Sequence, residues 1–245
     1  MQVTKIADNL LLLVGSAYHS NSLVFLRNRE ALLVEAMGSL ADGDSLRQYV
    51  ERVLGRRVRL IVSTHYFADH MAALGLFSEA DIVTHQDYLA TWKSEQFRSQ
   101  EEAEHFVEPT ITISDRMSIR WGEHRLDVFH NPGHTPSSLA VDVPTADLLH
   151  VSDTIVGNIG YFRYTSPDIL AAAIDRLRLR GRRRILASHG NVVDAVALEH
   201  AASYLDAVVA RPRPNAPLAD YLPEGVAPND FESVFHQRNL EQLAS

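Results

Sequence analysis

The spacing of apolar residues divides the chain into two kinds of segment. Short apolar runs predict strands at Gln2–Ile6, Leu10–Gly15, Ser22–Leu26 and Ala31–Glu35. Turn residues separate them at Ala7-Asp8-Asn9 and Arg27-Asn28-Arg29-Glu30. Apolar positions at 46, 50, 53 and 54 predict a helix over Leu40–Leu54, with Gly55 as its C-terminal cap. Arg59–Val62 predicts a buried strand, short and β-branched, and a helix is predicted to start at Met71. Asp81–Thr84 is a further strand. Gln86–Phe106 predicts one helix with an apolar stripe of Tyr88, Leu89, Trp92, Phe97 and Phe106 packed on the body.

The second half repeats this outline. Strands are predicted at Thr110–Ile113, Met117–Trp121, Arg125–Phe129, Leu139–Val143 and Asp147–Val151. A helix over Pro167–Leu179, a strand at Arg184–Ala187 and a helix over Asp194–Ala210 follow. The pattern alone implies a mixed α/β chain. Residues 211–217 read as a proline-rich linker, and 218–245 as an arm with a short helix at Asp230–Leu243. The expected organisation is one domain over 1–210, then a linker and arm over 211–245. The six arginines of Arg176–Arg184 read as a solvated helix end whose charge complements the helix dipole.

Composition narrows the functional classes. At 245 residues and 46% hydrophobic, the chain can bury a sizeable core. A net charge of −8 argues against a nucleic-acid partner, which requires a basic surface. The absence of cysteine excludes disulfides, thiolate metal sites and a cysteine nucleophile. Twelve histidines leave imidazole and carboxylate as the transition-metal ligands. No stretch approaches the ~20 apolar residues of a membrane span, and Leu10–Val14 is too short for a signal-peptide core. The expectation is a soluble, cytoplasmic protein acting on a small molecule, without membrane or nucleic-acid partners and with a homodimer left open.

The candidate chemistry lies in four stretches. In Ile61-Val62-Ser63-Thr64-His65-Tyr66-Phe67-Ala68-Asp69-His70, an apolar run ends in two histidines and an aspartate, at a strand-to-helix loop where α/β folds place ligands. Asp69 read alone is also a candidate helix cap. In Asn131-Pro132-Gly133-His134-Thr135-Pro136-Ser137-Ser138, a tight Pro-Gly turn fixes the direction of His134. His130, four residues earlier, reads as structural. Asp153 ends the strand Leu148-Leu149-His150-Val151-Ser152-Asp153-Thr154, and His189 ends Ile185-Leu186-Ala187-Ser188-His189-Gly190.

In this order, over about residues 20–190, the four stretches resemble the signatures of the metallo-β-lactamase fold superfamily. His65, Asp69 and His70 fall on three positions of its His-x-His-x-Asp-His motif, and Phe67 falls on the second histidine. His134 matches the histidine of a Pro-Gly-His-Thr-Pro-Gly-Ser turn. Asp153 matches the aspartate of Gly-Asp-Thr, with Ser152 for glycine. His189 matches the histidine of Leu-Pro-Gly-His-Gly, with Ala187-Ser188 for Pro-Gly. The resemblance implies a four-layer αβ/βα sandwich, two mixed sheets face to face, with the site along one sheet edge.

It also implies the site. One metal would take His65, position 67 and His134. The other would take Asp69, His70 and His189, with Asp153 bridging. Phenylalanine cannot ligate, so a mononuclear centre of Asp69, His70, Asp153 and His189 is the simplest expectation. One or two divalent ions are implied, zinc first, with iron or manganese as alternatives. The implied activity is hydrolysis of a small ester, lactone, thioester or amide by a metal-activated water, with Asp69 orienting or deprotonating that water. The alternatives are a non-haem iron oxygenase or redox enzyme using His65, His134 and Asp153, or a non-catalytic metal-binding member. Phe67, Tyr66 and Tyr164, with Tyr161 and Phe162, are candidate pocket walls. Glu35 is either a partner of a ligand histidine or only a strand-end carboxylate. The arm segment Phe235-His236-Gln237-Arg238-Asn239 resembles a C-terminal His-x-x-Asn segment of some members and is a candidate to fold back near the site, with His236 read as an ordinary helix residue and not a ligand.

Overall fold

The computed structural model describes residues 1–95 and 99–244. Strands β1 (Gln2–Ala7), β2 (Leu10–Val14), β3 (Asn21–Arg27), β4 (Glu30–Val34), β5 (Arg57–Val62), β6 (Asp81–His85) and β7 (Ile111–Ile113) form one sheet in that order. Pairing is antiparallel from β1 to β4 and parallel from β4 to β7. Strands β8 (Arg116–Trp121), β9 (His124–His130), β10 (Leu139–Val143) and β11 (Leu148–His150) belong to a second sheet. A small hairpin of β12 (Ile155–Val156) and β13 (Ile159–Gly160) stands apart. Strands β14 (Arg184–Leu186) and β15 (Val193–Asp194) complete the second sheet, in the order β15-β14-β11-β10-β9-β8.

Two-faced burial explains why β2 to β4 are apolar at nearly every position. Leu12, Leu23, Phe25, Leu32 and Val34 pack between the sheets against Leu126, Val128, Leu139, Val141 and Leu148. The alternate residues Leu13, Val24, Ala31 and Leu33 face outward against α1 (Leu40–Gln48) and its surroundings. On the far side, Ala140, Leu149 and Ile185 meet Leu170, Ile174 and Leu177 of α5 (Pro167–Arg178) and Ala201, Tyr204 and Leu205 of α6 (Val196–Ala210). The chain is therefore a four-layer α/β sandwich with two mixed sheets at its centre. No helix among the described residues is long and apolar enough to cross a membrane.

Several predicted elements differ in extent. The first helix ends at Gln48 and continues as a π-helical turn over Tyr49–Val53, closed by Leu54 N donating to Tyr49 O at 3.0 Å. The Gln86–Phe106 helix is two short ones, α3 (Tyr88–Ser94) and α4 (Gln100–Ala103), because Ser99 and Glu102 form a capping box that starts a new helix. Tyr88, Trp92 and Phe106 pack into the outer core, Leu89 is exposed, and Phe97 lies outside the described residues. The helix expected at Met71 instead runs over Ala68–Met71 (α2), which draws Asp69 and His70 into its first turn. The helix expected over Asp194–Ala210 starts at Val196 because Asp194 pairs in β15.

The arginine run places Arg176 and Arg178 in the last turn of α5, as the dipole reading expects, and several of its members are paired as well. Arg182 pairs with Asp142, Arg183 with Asp147, and Arg178 with Asp175 and Glu199. The arm folds back on the body. Its helix α7 (Asp230–Ala244) contributes Phe235 and Leu240 to the outer core of the second sheet. His236 hydrogen-bonds with Tyr204 Oη at 2.9 Å and with Ala216 O at 3.0 Å, so both ring nitrogens are engaged within the fold.

Candidate metal centre

Strand register delivers the candidate residues to one edge. Val34 of β4 lies opposite Val62 of β5, so Glu35 and Ser63-Thr64-His65 emerge together. His150 of β11 lies opposite Leu186 of β14, and three residues further along each strand come Asp153 and His189. Two contacts pin the sheets together here: Leu139 N donates to Thr64 O at 2.8 Å, and Asn21 N to Ser188 O at 3.0 Å. The His134 turn is closed by Asn131 N donating to Ser138 O at 2.8 Å. Gly133 lies so close to α5 that a Cβ there would stand 2.5 Å from Ala173 Cβ. Arg176 holds the same turn through Asn131 Oδ1 at 3.0 Å and Pro132 O at 2.9 Å.

Six of the predicted residues converge. One atom each of Asp69, His70, Asp153 and His189 lies within 4.8 Å of the others, and so do atoms of His65, His134 and Asp153. Asp153 Oδ2 is 3.1 Å from His189 Nε2 and 3.4 Å from His70 Nε2. Asp69 is 3.4 Å from His70 Nε2 through Oδ1 and 3.6 Å from His189 Nε2 through Oδ2. All are buried except the Asp69 side chain, which is 27% exposed and faces the adjoining cavity.

The electrostatics divide this cluster. Burial pulls His134 down to about 4 and His65 well below the usual imidazole value. Burial acts the same way on His70, but the carboxylates of Asp69, Asp153 and Glu35 outweigh it and push it up to about 10. His189 is likewise raised, burial being overcome by Asp153. Burial disfavours an ionised Asp153, yet His189 and His70 hold it well below the carboxylate range. Burial lifts Glu35 to about 7.

Outer contacts orient the clustered side chains. His189 Nδ1 is 2.8 Å from Tyr18 O, so this nitrogen donates and Nε2 is left to the centre. His65 Nδ1 hydrogen-bonds with Ser152 Oγ at 3.1 Å. Ser152 adopts φ +54, a left-handed conformation that favours glycine, and its hydroxyl also meets Thr64 Oγ1 at 2.7 Å. Glu35 Oε1 accepts from Thr64 N at 2.8 Å, and its Oε2 stands 3.6 Å from His70 Nδ1. These facts favour the partner reading of Glu35 over the bare strand-end one. Tyr18 and Arg176 carry no motif and were not foreseeable from their neighbours in sequence.

Beside the cluster is a cavity of about 320 Å³. Phe67, Tyr161 and Tyr164 line it, as do Phe231, Phe235 and Arg238 from α7. Phe67 packs against His65, His134 and Tyr164 at ring distances of 5.2, 5.4 and 4.7 Å. Tyr66 is not a wall. It turns into the outer core with Tyr88 and Phe106, and its hydroxyl donates to Val107 O at 3.0 Å, because successive residues leaving the strand point to opposite sides. Phe162 is also core, its N–H donating to Asn239 Oδ1 at 3.1 Å. The arm segment Phe235–Asn239 does fold back beside the site, with Phe235 and Arg238 on the cavity, whereas Phe231, one turn earlier, shows only an ordinary helical spacing and was missed.

The donors suit a divalent cation. His65 Nε2, His134 Nε2 and Asp153 Oδ1 are buried without a hydrogen-bond partner among the described residues, a costly arrangement unless a ligand satisfies them. Imidazole and carboxylate together accept zinc, iron or manganese.

Comparisons with known proteins agree. The family description "Metallo-beta-lactamase superfamily" matches residues 15–189. A protein named metallo-beta-lactamase type 2 from Bacillus sp. (strain 170) is 22% identical over 76% of this chain and 72% of its own length. The human acyl-coenzyme A thioesterase MBLAC2 is 28% identical over 41% of this chain, a match that spans 42% of the human protein. Among solved structures, a metallo-beta-lactamase from Pontibacter korlensis superposes with a TM-score of 0.68 at 22% identity, covering 84% of this chain and 98% of that one. With the family description covering most of the sequence and the fold, the chain belongs to the metallo-β-lactamase superfamily.

Proposed function

We propose that the protein is a metal-dependent hydrolase of a small carboxylic ester or thioester. The observation that carries this reading is the four-residue group Asp69, His70, Asp153 and His189 opening onto an aromatic cavity through the partly exposed Asp69. Phe67 stands where the superfamily pattern has its second histidine. That leaves the His65 and His134 half a ligand short, so the acidic half is the proposed resident site for one ion. The thioesterase name of the human relative supports a thioester among the candidate substrates.

A divalent ion held there would supply Lewis acidity, lowering the pKa of water and polarising the substrate carbonyl. The chain's own residues do the remainder. Asp69, at the boundary between cluster and cavity, accepts the proton of the attacking water through a carboxylate oxygen. Tyr18 O and Glu35 keep His189 and His70 turned inward. Phe67 and Tyr164 keep bulk water from one side of the carbonyl. The balance is one water consumed: its oxygen bonds to the acyl carbon, the carbon–sulfur or carbon–oxygen bond breaks, and a carboxylic acid and a thiol or alcohol leave.

The test is metal content of freshly purified protein, with thiol release from simple thioesters and chromogenic ester cleavage before and after chelation. About one ion per chain and activity lost on chelation are expected. Metal-loaded protein that cleaves none of these substrates, or activity indifferent to chelation, overturns the reading. A second reading has one specific observation behind it: His65, His134 and Asp153 also form a two-histidine, one-carboxylate group suited to iron(II). Bound iron with substrate-dependent dioxygen uptake would select it.

A further inference from the structure

We infer that an arginine-lined groove at the end of the first sheet opposite the metal cluster is a binding site for a small polyanion, a molecule carrying two or more phosphate, sulfate or carboxylate groups. The site is separate from the metal centre and does not rest on the hydrolase reading.

The groove lies where β4, β5 and β6 begin, whereas Glu35 and His65 follow the ends where β4 and β5 finish. Strand β5 leaves the groove at Arg57 and ends at Val62, three residues before His65. At ~3.3 Å per residue, groove and cluster stand on the order of 20 Å apart. The groove holds about 740 Å³, within the roughly 300–1,000 Å³ of small-molecule pockets.

Charge decides the ligand class. Arg29, Arg47, Arg56, Arg57 and Arg59 line the groove, with Glu30, Glu51 and Glu79 as its carboxylates. Each of these glutamates is already paired. Glu30 pairs at 2.6 Å with Arg27, which is outside the lining, and Glu51 pairs at 3.0 Å with Arg47. Glu79 is shared by Arg57 at 2.9 Å and Arg59 at 3.6 Å. Arg29 and Arg56 have no ion pair among the described residues. Arg56 Nε is buried and makes no hydrogen bond among them either, so nothing in the fold commits this guanidinium. The groove is thus a cationic excess in a chain whose net charge is −8. A cleft of one sign concentrates ligands of the other, and guanidinium forks match the oxygens of phosphate, sulfate and carboxylate groups.

The backbone brings these side chains together. The π-helical turn over Tyr49–Val53 is of an uncommon kind that is frequent at functional sites. Gly55 follows it at φ +63, and a Cβ there would meet nothing within 4 Å. Arg57 N donates to Arg29 O at 2.9 Å, which ties the β3–β4 turn to the start of β5. The β4–β5 register slips by one between the pairs Ala31–Val58 and Leu32–Leu60, so Arg59 is the extra residue of a bulge. Arg57 and Arg59 both reach Glu79 Oε2, so they share one side of the strand. Cations complementing the end of α1 would account for Arg47 in its last turn, but not for Arg29 on another loop.

The experiment is calorimetric titration of the full chain with inorganic triphosphate and with naphthalenetrisulfonate, a trianion with little affinity for divalent metals. Both should bind at about one site per chain, more weakly as salt rises. Arg29→Glu, at an exposed position, should weaken both by at least ~10-fold, and Arg56→Gln by several-fold. Arg116→Glu makes the same change of net charge on β8, outside the groove, and should leave both affinities within ~2-fold of wild type. Asp153→Asn should bind both probes as wild type does. Circular dichroism confirms the fold of each variant. Binding of neither probe overturns the inference. So does an equal loss in Arg116→Glu and Arg29→Glu, which would be net charge alone. Triphosphate binding that survives Arg29→Glu and disappears in Asp153→Asn places the anion at the metal centre and overturns it too. Hexaglutamate bound more tightly than either trianion, and lost in Arg29→Glu, overturns the small-molecule assignment in favour of an acidic peptide. None of these outcomes bears on ester or thioester cleavage.

Discussion

The histidines of both halves of the centre are buried and answer burial in opposite ways. His65 and His134 sit among aromatic rings, with Phe67 within 5.4 Å of both, and burial leaves them neutral, His134 down to about 4. His70 and His189 sit among Asp69, Asp153 and Glu35, and there the carboxylates overcome burial, His70 rising to about 10. Low accessibility is common to both, so it does not decide where a cation is favoured. The local count of carboxylates does. One half sets two histidines among Asp69, Asp153 and Glu35, and the other sets two neutral histidines beside Asp153.

Asp153 belongs to both halves, so its substitution is the largest test. Asp153→Asn should cost metal retention and hydrolysis alike, by more than the ~100-fold that loss of an outer partner costs. Metal content and kcat measured on the folded variant check this, with circular dichroism to confirm the fold. If the variant kept a full ion, Asp153 would not be a shared ligand and the contrast between halves would lose its centre.

Phe67→His addresses the contrast directly. Restoring an imidazole beside His65 and His134 should raise metal content from ~1 toward ~2 ions per chain. Unchanged stoichiometry would mean that the weakness of that half comes from its carboxylate-poor surroundings and not from the missing ligand.

Much of this contrast was legible in the sequence, for identifiable reasons. His65, Asp69, His70, His134, Asp153 and His189 each follow a strand end; parallel register sets the ends of β4 and β5 side by side in the first sheet and those of β11 and β14 in the second, while His134 follows the antiparallel β9. Phe67 drew attention because it stands between His65 and His70 at a position that the proposed reading assigns to a ligand, and it lines the cavity beside them. Tyr66 could not be placed, since whether a loop aromatic faces cavity or core depends on the packing of Tyr88 and Phe106 far along the chain. The lining from α7 was legible only in part: the segment Phe235–Asn239 was a candidate to fold back near the site, but Phe231 was not. Phe231 and Phe235 have the spacing of any packed helix, and only the tertiary anchoring through Glu232 and Asn239 turns that face toward the site. The split of Gln86–Phe106 was in principle visible in Ser99 and Glu102, whose capping box outweighed an apolar stripe that looked continuous.

The smallest expected effect concerns the outer support of the acidic half. Asp42 Oδ2 accepts from Ser16 N at 2.9 Å and from Ala17 N at 2.8 Å, with Ser39 Oγ at 3.2 Å. It thereby fixes the loop that carries Tyr18, whose carbonyl aims His189. Burial would raise its pKa, but the hydrogen bonds from Ala17, Ser16 and Ser39 prevail and lower it below the ordinary 3.8. A carboxylate depressed in the folded state stabilises that state fully above its unfolded value near 3.8, and loses this contribution as pH falls through the lower folded value. Asp42→Asn should therefore cost about 1–3 kcal/mol at neutral pH, the worth of hydrogen bonds to a charged group. The difference from wild type should shrink below pH 3.8 and be flat above pH ~5, as urea unfolding across that range would show. His65 and His134 do not depend on this loop, so Asp42→Asn should weaken the acidic half while leaving the Ser152 contact of His65 untouched. A stability difference that stayed constant down to the lowest pH would place the effect of Asp42 in packing, and would remove the loop as a charge-dependent support of His189.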